Sequence, residues 1–172
     1  MIAFKIIIGG LIVAVTTYIG FLVAKKLQKR EETLRETILF FDMVENEIRY
    51  MLNVLPNAYE SARQRLKGDL KIVIGQIVVD MLASDNYELS GKTISSNINL
   101  LKELTSYDKE VIISTLKNLG RSDVDAQVNI LENAKRTIQV QIDEAIEYKN
   151  KNSKLYKAVG TIAGMMIVII LV

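Results

Sequence analysis

The run SDVDAQVNILENAKRTIQVQIDEAIEYKNKNSKLYKAVGTIAGMMIVIILV, from Ser122 to Val172, decides the fold. Its first half is charged, and Val124, Val128, Leu131, Ile138 and Ile142 recur there at helical spacing. Ser122 and Asp125 stand three apart, as in a capping box, Ser122 accepting from first-turn amides and Asp125 reaching back. After Lys149, Lys151, Lys154 and Lys157 the charges cease, and residues 158–172 are only Ala, Val, Gly, Thr, Ile, Met and Leu. The pattern predicts a soluble helical arm that runs into a membrane anchor. Fifteen residues after Lys157 make about 22 Å of helix, against a hydrocarbon core of roughly 30 Å. Leu155, Tyr156 and snorkelling by Lys157 extend the span. A buried core helix is the alternative, and the all-apolar circumference favours the membrane. Asn150–Ser153 mark a possible joint between arm and anchor.

A second apolar run lies at the other end. Ile6–Ala24 is uncharged over 19 residues, the length of a membrane span. A cleaved secretory signal is the rival reading, with Lys5 as its charged start. The run is longer than a typical signal core, lacks a clear A-x-A site before Lys25, and passes directly into further helical periodicity. Lys25, Lys26, Lys29 and Arg30 follow this anchor, as Lys149, Lys151, Lys154 and Lys157 precede the other. Both basic collars therefore sit on the side of the central segment, where they would meet anionic headgroups. By the positive-inside rule, two spans (residues 1–24 and 155–172) enclose a cytoplasmic central domain (25–154), with Lys5 a weak opposing charge. Small residues at helix-packing spacing, Gly10-x-x-x-Ala14, Gly20-x-x-x-Ala24 and Gly160-x-x-x-Gly164, offer close-approach surfaces within the chain or to another subunit.

Residues 31–148 hold 13 Lys/Arg against all 20 Asp/Glu, a net charge of −7. An acidic domain between basic collars is a poor nucleic-acid binder, since neutralising phosphates needs a clustered basic face. The chain has no Cys and no His, which excludes disulfides, thiolate nucleophiles and Ser-His-Asp triads. Asp123/Asp125 and Asp143/Glu144 are candidate acid–base pairs, but adjacent and i,i+2 side chains diverge on a helix. Gly9-Gly10 and Gly120-Arg121-Ser122 lack the pattern of a phosphate loop. No catalytic residue, metal site, cofactor or small-molecule substrate is expected.

Along the central segment the reading is all-α. Leu27, Leu34, Phe41, Ile48 and Leu55 recur every seven residues, with Ile38 and Leu52 between them, as in a coiled-coil seam broken by Glu31 and Glu45. This seam is either the core face of a bundle or a surface for self-association. Pro56 ends that helix or starts the next. A second helix is expected over 57–67 with Gly68 just past its end, and Asp69 is expected to cap a third over 70–83. The β-branched run Ile72–Val79 suits a strand, but no partner strand exists elsewhere. A polar loop over 84–92, a fourth helix over 93–104, a capping box at Thr105-Ser-Tyr-Asp108 and a fifth helix ending at Leu119-Gly120 follow. Helices five and six should then form an antiparallel hairpin. The prediction is a six-helix bundle whose first and last helices become membrane spans.

Gly20-Phe21-x-x-Ala24, Glu47-Ile48-x-Tyr50, Leu55-Pro56-x-Ala58 and Leu119-Gly120-x-Ser122-Asp123-x-x-x-Gln127 together resemble the stage III sporulation protein AB family of endospore-forming bacteria. The resemblance covers the whole chain, and the last motif is its most specific piece; a Trp that many members carry in the fourth helix is missing. It implies a membrane component of the channel complex between mother cell and forespore, sited in the mother-cell membrane facing the forespore. Its central domain would be similar to the cytoplasmic helical domain of the type II secretion inner-membrane platform protein. The implied partners are the complex's cytoplasmic ATPase (the AA component), other membrane channel components and membrane lipids. By position, Gly120 would permit a tight turn and Ser122 cap the last helix. Asp123 would add favourable charge and Gln127 bridge the hairpin; direct partner contact is the other role open to these four. The competing function is a self-associating two-anchor adaptor or signalling protein working through the seam.

Overall fold

The computed structural model describes residues 2–51, 54–84 and 90–171. Among these are six helices and no strand: α1 Ile2–Tyr50, α2 Leu55–Arg65, α3 Gly68–Leu82, α4 Gly91–Ile98, α5 Ser106–Asn118 and α6 Val124–Leu171. Two compact units emerge. One comprises Glu32–Asp143; the other combines Met1–Glu31 with Glu144–Val172. The basic collars fall in the second of these units, together with the spans. Leu52 of the expected seam and residues 85–89 of the expected loop lie outside the described residues.

In the central unit, Leu34, Phe41 and Ile48 of the heptad pattern are buried, joined by Thr33, Thr37, Phe40 and Val44. The seam is therefore core, which removes it as a surface for self-association. Its Leu55 does not continue α1: that helix ends at Tyr50, and Leu55 opens α2 with Pro56 in the first turn, where a missing N–H costs nothing. Phe40 links the two helices, with its ring 5.8 Å from Phe41 and 5.2 Å, edge-on, from Tyr59. Glu45, which breaks the seam, accepts a hydrogen bond from Lys135 of α6 at 2.7 Å, and Asp42 accepts another at 2.7 Å. Arg49 reaches both Glu45 and Glu132. Since lower numbers on α6 meet higher numbers on α1, the two stretches run antiparallel.

From α2 the chain packs stepwise, α2 on α3, α3 on α4 and α4 on α5. The β-branched run is helical because Leu70, Val73, Ile74, Ile77, Val78 and Met81 form one buried stripe at three- and four-residue spacing. Gly68 opens α3 with φ 59°, and Asp69 is no cap: it lies in the first turn, behind the cap position at Lys67. The Lys67 amide donates instead to Glu36 of α1 at 2.9 Å. Helix α4 starts two residues earlier than expected, capped by Ser90, and ends at Ile98; Leu101 and Leu104 still reach the core from the turn beyond. In that turn buried Glu103 accepts from Thr33 at 2.6 Å. The capping box at Thr105 and Asp108 forms in both directions, at 2.9 and 3.1 Å.

Two groups, one buried and one half-buried, set an alkaline limit on the bundle. Burial pushes the Tyr59 phenol well above its ordinary value. Partial burial opposes the charge on Lys135, but hydrogen bonds from its ammonium to Asp42 and Glu45 outweigh that, and its pKa also rises. Both shifts are upward, so their contributions are complete below the unfolded values near 10 and fade as pH climbs through the folded ones. Denaturant unfolding followed against pH should show stability falling above about pH 10. Tyr59→Phe should shrink that fall, and a fall of the same size in the variant would refute the assignment.

Candidate membrane anchor and docking sites

In the unit formed by residues 1–31 and 144–172, α1 and α6 run antiparallel at backbone contact. A Cβ on Gly20 would lie 2.6 Å from the Tyr156 carbonyl oxygen, and one on Gly160 2.7 Å from that of Thr16. Gly164 is buried against Val13 and the Thr16 hydroxyl, and Thr17 donates to Thr161 at 3.4 Å. Only glycine admits such proximity, and the geometry pairs the spans within one chain. Gly10 takes no part. It is exposed, with nothing within 4 Å of a Cβ, while neighbouring Gly9 packs against Val168. In a run of two glycines the helical rotation of one residue decides which faces the other helix of the chain, and here it is Gly9. Ala24 is buried and Ala14 exposed for the same reason.

Both terminal helices are long and apolar enough to cross a membrane. Around their collar ends Lys25, Lys26, Lys151, Lys154 and Lys157 are exposed, while Lys29 and Arg30 are half-buried. Lys149 turns inward and donates to Glu31 at 2.5 Å, so its charge is spent inside the helix pair rather than on headgroups. Lys157 places its ammonium 5.1 Å from the centre of the Phe21 ring. Helix α6 is unbroken through Asn150–Ser153, where Asn152 donates to the Tyr148 carbonyl at 2.9 Å. The joint expected from composition is continuous helix.

In the central unit, the turn between α5 and α6 is held by one side chain. Gln127 accepts from the Gly120 amide at 2.9 Å and donates to the Ser122 carbonyl at 2.9 Å. Gly120 has φ 81°, and a Cβ on it would lie 2.6 Å from Leu55 Cδ1. The cap, however, belongs to Asp123: its carboxylate accepts from the Ala126 amide at 2.8 Å and its carbonyl from Gln127 at 3.1 Å. Ser122 contributes its backbone, and Asp125 lies in the first turn of α6. Either residue has a capping side chain. The Gln127 clamp, which ties the backbone of Ser122 outside the helix, puts the start one residue later than the Ser122–Asp125 spacing suggested.

A different surface was not singled out by sequence. On α3, opposite its buried stripe, Ile72, Val79 and Leu82 are 72%, 58% and 59% exposed. They follow the helical repeat as one apolar strip on the surface of a charged bundle. The signal was present in the sequence, since Ile72–Val79 is apolar on more sides than one buried face requires.

The stage III sporulation protein AB family matches residues 5–172. The chain belongs to that family. It is thus a sporulation protein made of helices, with two that are fit to span a membrane. No curated protein and no solved structure matches the chain. Among the described residues no cluster of three His, Cys, Asp or Glu side chains could hold a metal.

Proposed function

We propose that the protein is a non-catalytic membrane platform of the sporulation channel complex, and that it docks the complex's cytoplasmic ATPase on its central bundle. The exposed strip Ile72, Val79, Leu82 carries this reading. Isolated exposed apolar side chains are ordinary, but a helical strip of them on a folded bundle marks a partner surface. An ATPase of the same complex is the occupant that the resemblance to the family implies. The collars support a cytoplasmic bundle by the positive-inside rule, in the mother-cell membrane facing the forespore, with other channel components beside the spans.

Co-purification from detergent extracts of sporulating-cell membranes tests the reading. The wild-type chain should bring down the ATPase, and the double variant Ile72→Glu, Val79→Glu should lose about tenfold or more of it, the scale of a desolvated interface contact. Both side chains are exposed, so helical content should not change. Equal recovery with the variant would place docking elsewhere, and no ATPase with the wild type would end the platform reading.

A further inference from the structure

We propose that the collar end of the helix pair binds one anionic phospholipid, with its phosphate between Lys25 and Lys157 and an acyl chain along Phe21 and Leu22. A groove of about 270 Å³ lies there between α1 and α6. Its walls divide by chemistry: Tyr18, Phe21 and Leu22 are apolar or aromatic, while Lys25, Lys149 and Lys157 are basic. Lys149 is answered by Glu31, which leaves Lys25 and Lys157 as the cations that meet a ligand. The Lys157 ammonium sits over Phe21, at the boundary of the two walls.

Three features favour a lipid over a soluble phosphate. The apolar wall belongs to residues 6–24, the stretch that enters hydrocarbon, and a free anion would leave it uncovered. The groove is smaller than the roughly 300–1,000 Å³ that encloses a complete drug-sized ligand. It suits a headgroup and the start of a chain, with the remainder lying in the bilayer beside Tyr18, Phe21 and Leu22, all about half exposed or more. Finally, the groove is built into the helix pair: the Gly20–Gly160 approach fixes the helix separation about one turn from both lysines. Diffuse attraction of a basic collar to an anionic surface needs none of this. The site is independent of ATPase docking on α3.

Native mass spectrometry of the purified full chain in detergent tests the proposal, with phosphatidylglycerol and phosphatidylcholine offered in turn. One phosphatidylglycerol per chain should be retained in preference to phosphatidylcholine. Lys25→Gln with Lys157→Gln should lower the bound fraction about tenfold, whereas Lys151→Gln with Lys154→Gln, which removes the same charge outside the groove, should leave it within about twofold. Inorganic phosphate should not displace the lipid. Equal losses in the two double variants would reduce the effect to diffuse attraction and overturn the site. Displacement by phosphate, or no preference over phosphatidylcholine, would overturn it as well.

Discussion

Phe40→Ala is expected to destabilise the central bundle by about 3–5 kcal/mol, the range for truncating a buried aromatic. Phe40 is 1% exposed and stands between Phe41 and Tyr59, so its loss opens a cavity and removes two ring contacts at once. Aromatic pairs add about 0.5–1.5 kcal/mol each beyond area burial. Against a typical domain stability of roughly 5–15 kcal/mol, that loss is a large fraction of the whole. Its sequence neighbour provides the control. Leu39 is 37% exposed, and Leu39→Ala should cost far less. Urea unfolding of the full chain in detergent, followed by circular dichroism, reads both. Similar midpoints for the two variants would mean that α1 does not present the face described.

Gly160→Leu should drive the two spans apart. Its first side-chain carbon would already lie 2.7 Å from the Thr16 carbonyl oxygen and 3.1 Å from Gly20 Cα, and backbone cannot move aside as a side chain can. Overpacking costs about 1–3 kcal/mol even where side chains yield. Because the chain has no Cys, a clean reporter is available: Thr17→Cys with Thr161→Cys replaces two hydroxyls 3.4 Å apart by a pair able to form a disulfide. Oxidation should cross-link the reporter chain efficiently. Adding Gly160→Leu should cut the yield about tenfold, the effect of about 1.4 kcal/mol. Adding Gly10→Leu should leave it unchanged. If Gly160→Leu cross-links as well as its parent, the spans are not in backbone contact.

Helix identities were legible in the sequence wherever local chemistry and tertiary demand agreed. The Thr105/Asp108 box formed as its spacing required, and Gly120 took the left-handed turn that Leu119-Gly120 suggested. Boundaries slipped where two adjacent residues offered the same chemistry. Ser122 and Asp123 can both cap, Gly9 and Gly10 can both pack, and a single residue of rotation or register separates them. The heptad seam was visible, but periodicity cannot say what covers it; the covering groups lie in distant segments. Glu45 looked like a fault in that seam until Lys135, ninety residues on, supplied its counter-charge. The α3 strip stayed hidden for a related reason. In a run as apolar as Ile72–Val79 the side that remains exposed depends on which side α2 and α4 cover.

The glycine contact between the spans also bears on how far this protein is modular. A membrane anchor is often treated as a replaceable tether, since any sufficiently greasy helix will hold a domain at a bilayer. Here each anchor is shaped as the other's template, with Gly20 seated on Gly160 and Gly9 on Val168. Chimeras that import one foreign span would keep the address and lose the fit, whereas the two spans transplanted together would travel as a matched pair.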